Sequence, residues 1–131
     1  MKTTMLTRAV YCRSPANFPP GDPEPRRTLL HAMISGYTSA AEADGDGVYV
    51  LTTPDNSKPA SYMGPSPPAE TPPYAHNYVE LLFAEPAGWK PPTTDFSGFG
   101  NRLGIDRDKF VAGLGFTGGP VAANFFNVTG V

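Results

Sequence analysis

The sequence predicts a mostly-β, α+β fold: an antiparallel sheet of short strands joined by long loops, with one or two short helices. Three observations predict it. Apolar and polar residues alternate with period two, most clearly where Tyr78, Glu80 and Leu82 interleave with Val79, Leu81 and Phe83. The 16 prolines and 14 glycines make up nearly a quarter of the 131 residues, and the prolines are clustered between the apolar runs. One stretch, near Asp106, carries the signals of a helix.

The elements follow in order. Met5–Tyr11 reads as a short strand. Residues 12–25 hold Pro15, Pro19, Pro20, Pro23 and Pro25, which exclude both helix and central strand. Thr28–Tyr37 is apolar, and its length and the stop at Gly36 favour a buried strand. Ser39–Ala43 is expected to form a helical turn, with Ser39 as its cap. Asp44-Gly45-Asp46-Gly47 is a hairpin turn signal and Val48–Thr52 the strand after it. No Glu stands at the closing position that a calcium loop needs. His76–Ala84 is the clearest strand, and residues 86–100 form a loop. Asp106 caps a short helix bearing Phe110, Val111 and Leu114, with Gly115 near its end. Residues 119–128 close the chain as a strand.

Composition narrows the functional classes. The length suits a single domain over residues 1–131. Net charge is −2 with no basic stripe, which argues against nucleic acid as a partner. No apolar run is long enough to be a transmembrane segment. The first residues lack the apolar core of a secretion signal, and the single Cys12 cannot make an internal disulfide. A cytoplasmic location is the expectation. One cysteine and two histidines without ligand spacing predict no metal site, and the absence of a P-loop, nucleophile elbow or dinucleotide fingerprint predicts no cofactor.

The chemistry concentrates at Gly64-Pro65-Ser66-Pro67-Pro68-Ala69-Glu70-Thr71-Pro72-Pro73-Tyr74-Ala75-His76. Each proline fixes φ and removes a donor, so this loop is a stiff wall. It ends at His76, the start of the clearest strand, with Tyr78 two residues on. His31 lies inside the apolar run Leu29–Ile34. A lone histidine in such a run is more often a hydrogen-bonded core residue than a reactive one. Two imidazoles and a phenol beside a proline wall can nevertheless donate hydrogen bonds to an oxygen-bearing ligand.

The order of these motifs resembles the phosphatidylethanolamine-binding protein family, in its fungal-type branch. Gly64-Pro65-Ser66-Pro67-Pro68 followed by His76-Asn77-Tyr78 resembles the family's G-x-x-P-P…H-R-Y signature. Leu30-His31-Ala32 falls where the family has an L-H-W strand. Asp108–Val111 and Gly119–Asn127 look like its short helix and closing strand. The resemblance covers residues 27–128. It implies a central antiparallel sheet, a smaller second sheet, and a small pocket for phosphate-like or carboxylate-like anions. Carried over, the ligand-binding residues are His31, His76, Tyr78, Pro67, Pro68 and Gly64. Tyr11 and Arg13 join them, because the family's D-P-D-A-P loop falls at Tyr11-Cys12-Arg13-Ser14-Pro15.

The departures change the pocket. Both aspartates of that loop are absent, Ala32 replaces the strand tryptophan, and Asn77 replaces the arginine of H-R-Y. Two carboxylates are lost and Arg13 is gained. The first part of the usual domain is expected to be missing, which would expose a sheet edge. Dimerisation, or cover from residues 1–25, is the expected remedy. Two functions fit. One is a module binding a small anionic or oxygen-rich molecule, or an acidic group on a protein, as family members act as headgroup binders, protease inhibitors and signalling regulators. The other is a cofactor-independent isomerase or cyclase of natural-product biosynthesis. There His76 would polarise or protonate an oxygen, Tyr78 would orient it, and His31 would take or relay a proton.

Overall fold

In a computed structural model the chain is described over residues 2–12, 27–52 and 59–130, with side chains from Thr28 onward. Among the described residues, five strands form one antiparallel sheet: β1 (Lys2–Cys12), β2 (Arg27–Ser39), β3 (Leu51–Thr52), β4 (Ala75–Ala84) and β5 (Ala122–Thr129). A 3-10 turn (Phe99–Arg102) and the helix α1 (Arg107–Gly113) lie between β4 and β5. The mostly-β class predicted from the sequence is therefore the class observed.

The strand order is β3-β2-β1-β4-β5. β1 pairs with β2 on one side and β4 on the other, with Ala9 in register with both Leu29 and Tyr78. Residues 2–12 thus occupy the centre of the sheet rather than covering an edge. The rest of the expected cover, residues 13–26, lies outside the described residues.

Backbone groups on the outer edge of β2 find partners along its length, as buried donors and acceptors must. Thr38 and Ser39 pair with β3. Met33 exchanges two hydrogen bonds with Ala60, the Met63 amide donates to the His31 carbonyl, and the Gly104 amide donates to that of Thr28. Beyond β4, β5 forms the other edge.

A bulge in β2 decides which residues share a face. Ala32 pairs with Thr7 and Leu30 with Arg8, so His31 is an extra residue without its own partner on β1. A bulge interrupts alternation and re-aims side chains. This is how Leu30 and Met33, three residues apart, enter one core cluster with Ala60, Phe83, Phe96 and Leu114. Phe83 and Met33 are fully buried, each contributing roughly 1.5–3 kcal/mol of apolar transfer.

Helix α1 covers that cluster. Phe110 and Val111 pack against it. The Asp106 carboxylate accepts the Lys109 amide, and Gly115 takes φ 72° just beyond the helix, as expected of a cap and a stop. Trp89 locks the following turn by donating Nε1–H to the Leu114 carbonyl at 2.6 Å.

Two local expectations change. Ser39 caps no helical turn: it ends β2, held there by pairing with Leu51. Of Val48–Thr52 only Leu51 and Thr52 form strand. The Asp44 carboxylate accepts the amides of Asp46 and Val48, an Asx turn that bends the intervening backbone away from a ladder.

Candidate functional site

Alternation along β4 places His76, Tyr78 and Glu80 on one face, opposite the face that sends Leu81 and Phe83 into the α1-covered core. β5 continues the row, with Val128, Phe126 and Asn124 in register with those three residues. Phe126 stacks on Tyr78 at 5.1 Å, with ring planes only 5° apart. Across β1, the bulged His31 meets the same tyrosine edge-on at 5.1 Å and 74°. The structure thus brings together His31, His76 and Tyr78, and all three are buried, at 5%, 2% and 2% exposure.

Each histidine is fixed through one ring nitrogen. His31 Nδ1–H donates to the Met63 carbonyl at 2.8 Å. A carbonyl can only accept, so Nδ1 carries the proton and Nε2 of the neutral ring is an acceptor. Burial above all, aided by the nearby Arg102 charge, holds His31 below the usual imidazole range against the opposing pull of the Met63 bond. His76 Nε2–H donates to the Glu70 carboxylate at 2.8 Å, with the glutamate side chain only 5% exposed. That carboxylate sets the ring's orientation and tautomer, as outer carboxylates do for functional imidazoles.

Arg102 stands behind β2. It is buried, with Nε donating to the Phe96 carbonyl at 2.6 Å and Nη1 to those of Ser61 at 2.7 Å and His31 at 3.4 Å. Nη2 reaches Ser61 Oγ at 3.2 Å. A planar fork with five donors is suited to joining three segments in this way.

The proline loop has three anchors. Met63, just before Gly64, is bonded to both the backbone and the ring of His31. Glu70 grips His76. Gly130, beyond the end of β5, lies so close to the Pro67 and Pro68 backbone that a Cβ there would collide with it. Pro67 is half-buried, and Gly64 and Pro68 are exposed. β1 delivers Tyr11 to the end of the sheet where Cys12 pairs with Arg27. Arg13 lies outside the described residues.

Glu70, Arg102 and Gly130 are not singled out by sequence reasoning. Glu70 leaves one signal: it is the only acid between Asp55 and Glu80, set between two Pro-Pro pairs. Arg102 and Gly130 act through contacts distant in sequence and leave none.

The family model for phosphatidylethanolamine-binding protein matches residues 9–126. The chain belongs to the phosphatidylethanolamine-binding protein family. It is also 35% identical over 108 residues to the phomoidride biosynthesis cluster protein N of Talaromyces stipitatus, covering 75% of this chain and 48% of that protein. The chain therefore spans about half the length of this relative. No solved structure matches it. Among the described residues, no helix is long and apolar enough to cross a membrane, and no three acidic, histidine or cysteine side chains group as metal ligands.

Proposed function

We propose that this family member is a binding module that holds a small anionic or oxygen-rich molecule at His31, His76 and Tyr78. One observation carries the reading: His31 meets Tyr78 edge-on, His76 stands two residues before that tyrosine on the same face of β4, and both imidazoles are buried and each tied through one nitrogen. His31 Nε2 and His76 Nδ1 have no partner among the described residues. Pre-oriented groups of this kind bind with little ordering cost. The anchored proline loop forms the wall, with Gly64, Pro67 and Pro68 in it; Tyr11 lies near the end of β1, and Arg13 belongs to this reading only through the family's loop pattern.

The test follows both histidine ring resonances during titration with acetate, inorganic phosphate and neutral hydroxyl or carbonyl compounds. Saturable shifts that disappear in His31→Ala and His76→Ala support the module. Binding that survives both substitutions unchanged removes the site from consideration.

A second reading is a cofactor-independent isomerase or cyclase using the same groups. Its motivation is the likeness to a protein of a biosynthesis cluster. His31, neutral with an available Nε2, would accept a proton, while His76, whose Nε2–H is held by Glu70, would polarise an oxygen oriented by Tyr78 through Nδ1–H of its protonated form. Confining a flexible substrate would lower the entropic barrier. Turnover of neighbouring-pathway intermediates, lost in His76→Ala, supports it, and binding without turnover returns the weight to the module. Homodimerisation through the β5 edge accompanies either reading, and light scattering that gives a monomer mass rejects it.

A further inference from the structure

We propose that Glu70 is the site's own carboxylate ligand, a specificity-determining residue that closes His76 to anions and leaves the site to neutral, oxygen-rich molecules. The proposal rests on the binding-module reading and narrows its ligand class.

The Glu70 carboxylate already occupies His76 Nε2–H, the donor that an incoming carboxylate or phosphate would use, at 2.8 Å. Both side chains are almost completely buried. An external anion must therefore displace a buried, charge-assisted hydrogen bond. The loop resists that displacement. Pro67 and Pro68 precede Glu70, Pro72 and Pro73 follow it, and Gly130 packs on the Pro67–Pro68 backbone. Stiffness of this kind keeps the carboxylate in place without an ordering cost on each encounter.

Charge points the same way. The described buried side chains around the two histidines supply one cation, Arg102, and one anion, Glu70. Arg102 spends four of its five donors on the Phe96, Ser61 and His31 carbonyls and the Ser61 hydroxyl. Glu80, on the same β4 face as His76 and Tyr78, adds a second carboxylate held by Asn124 at 3.4 Å. A further negative charge would be uncompensated in a poorly solvated place. A hydroxyl faces no such barrier: it brings no charge, and His31 Nε2 accepts from it.

The experiment is chemical rescue. Acetate is titrated into the wild type, Glu70→Gln and Glu70→Ala, and the His76 ring resonances are followed. Acetamide, of the same shape without the charge, serves as the control. The expected order of acetate affinity is Glu70→Ala, then Glu70→Gln, then wild type, with at least about a tenfold difference between the extremes. In Glu70→Ala, bound acetate should return the His76 resonances to their wild-type positions, which acetamide should not do.

Wild-type protein that binds acetate at His76 as tightly as Glu70→Ala overturns the proposal. So does Glu70→Ala that keeps wild-type backbone resonances and shows no acetate response. If the alanine variant does not fold, Glu70→Gln, which preserves volume, decides the same question by its order relative to wild type. Acetate rescue at His76 with no ligand ever moving His31 supports Glu70's role while removing the two-histidine site. Neutral ligands binding both histidines without rescue does the reverse.

Discussion

Gly130→Ala tests how the proline loop is held. An ideal Cβ at residue 130 would stand 2.6 Å from the Pro67 carbonyl oxygen, with the Pro68 carbonyl group closer still. Ordinary contact needs about 3.5 Å. Relief therefore demands a displacement of about 1 Å or more, and the obstructing atoms are backbone, not a side chain that could swing aside. Either the loop or the end of β5 must move. Overpacking of this kind costs roughly 1–3 kcal/mol. For a domain of this length each kcal/mol lowers Tm by about 3–5 °C, so a fall of roughly 3–15 °C is expected. Glu70 lies two residues beyond Pro68, and its bond to His76 is 2.8 Å long. Moving its carboxylate away by about 1 Å takes that bond beyond the usual limit of about 3.2 Å. Thermal unfolding and the His76 ring resonances together read both effects. An alanine variant that melts within about 1 °C of the wild type, with His76 unmoved, refutes the reasoning.

Arg102→Met should cost about 3–5 kcal/mol, because it leaves the Phe96 and Ser61 carbonyls without their charged donor; a urea midpoint equal to the wild type's contradicts this. His31 has a folded pKa below its ordinary 6.5, so the unfolded chain takes up its proton first as pH falls. Its contribution is complete above about pH 6.5 and is lost as pH falls through the folded value. His31→Gln should therefore flatten the stability profile below that pH, and an unchanged profile counts against it. Asp106→Ala removes the acceptor of the Lys109 amide and should cost about 1 kcal/mol, read by chemical denaturation, with an unchanged midpoint as the contrary result.

What was legible in the sequence is what depends on local spacing. The alternation through β4 fixed both the strand and the shared face of His76 and Tyr78. Asp106 and Gly115 marked the helix because caps act over one turn. The central position of β1 was not legible, because its two partners are chosen by tertiary pairing. The bulge at His31 hid likewise: seven successive residues from Leu29 to Ser35 give no sign of where the alternation slips. Glu70 reads as an exposed loop acid, and only the course of the loop turns its side chain inward onto His76.

The two chain ends leave the sheet in opposite directions. Lys2 and Thr3 lie beside Thr38 and Ala84, whereas Thr129 lies beside Ala75, next to His76. Any polypeptide joined ahead of Lys2 emerges far from the histidines. Anything joined after Gly130 begins against Pro67 and Pro68. A tag, fusion partner or natural extension is therefore not equivalent at the two ends: the amino-terminal one is a bystander, and the carboxyl-terminal one is a neighbour of the proline loop and of the start of β4.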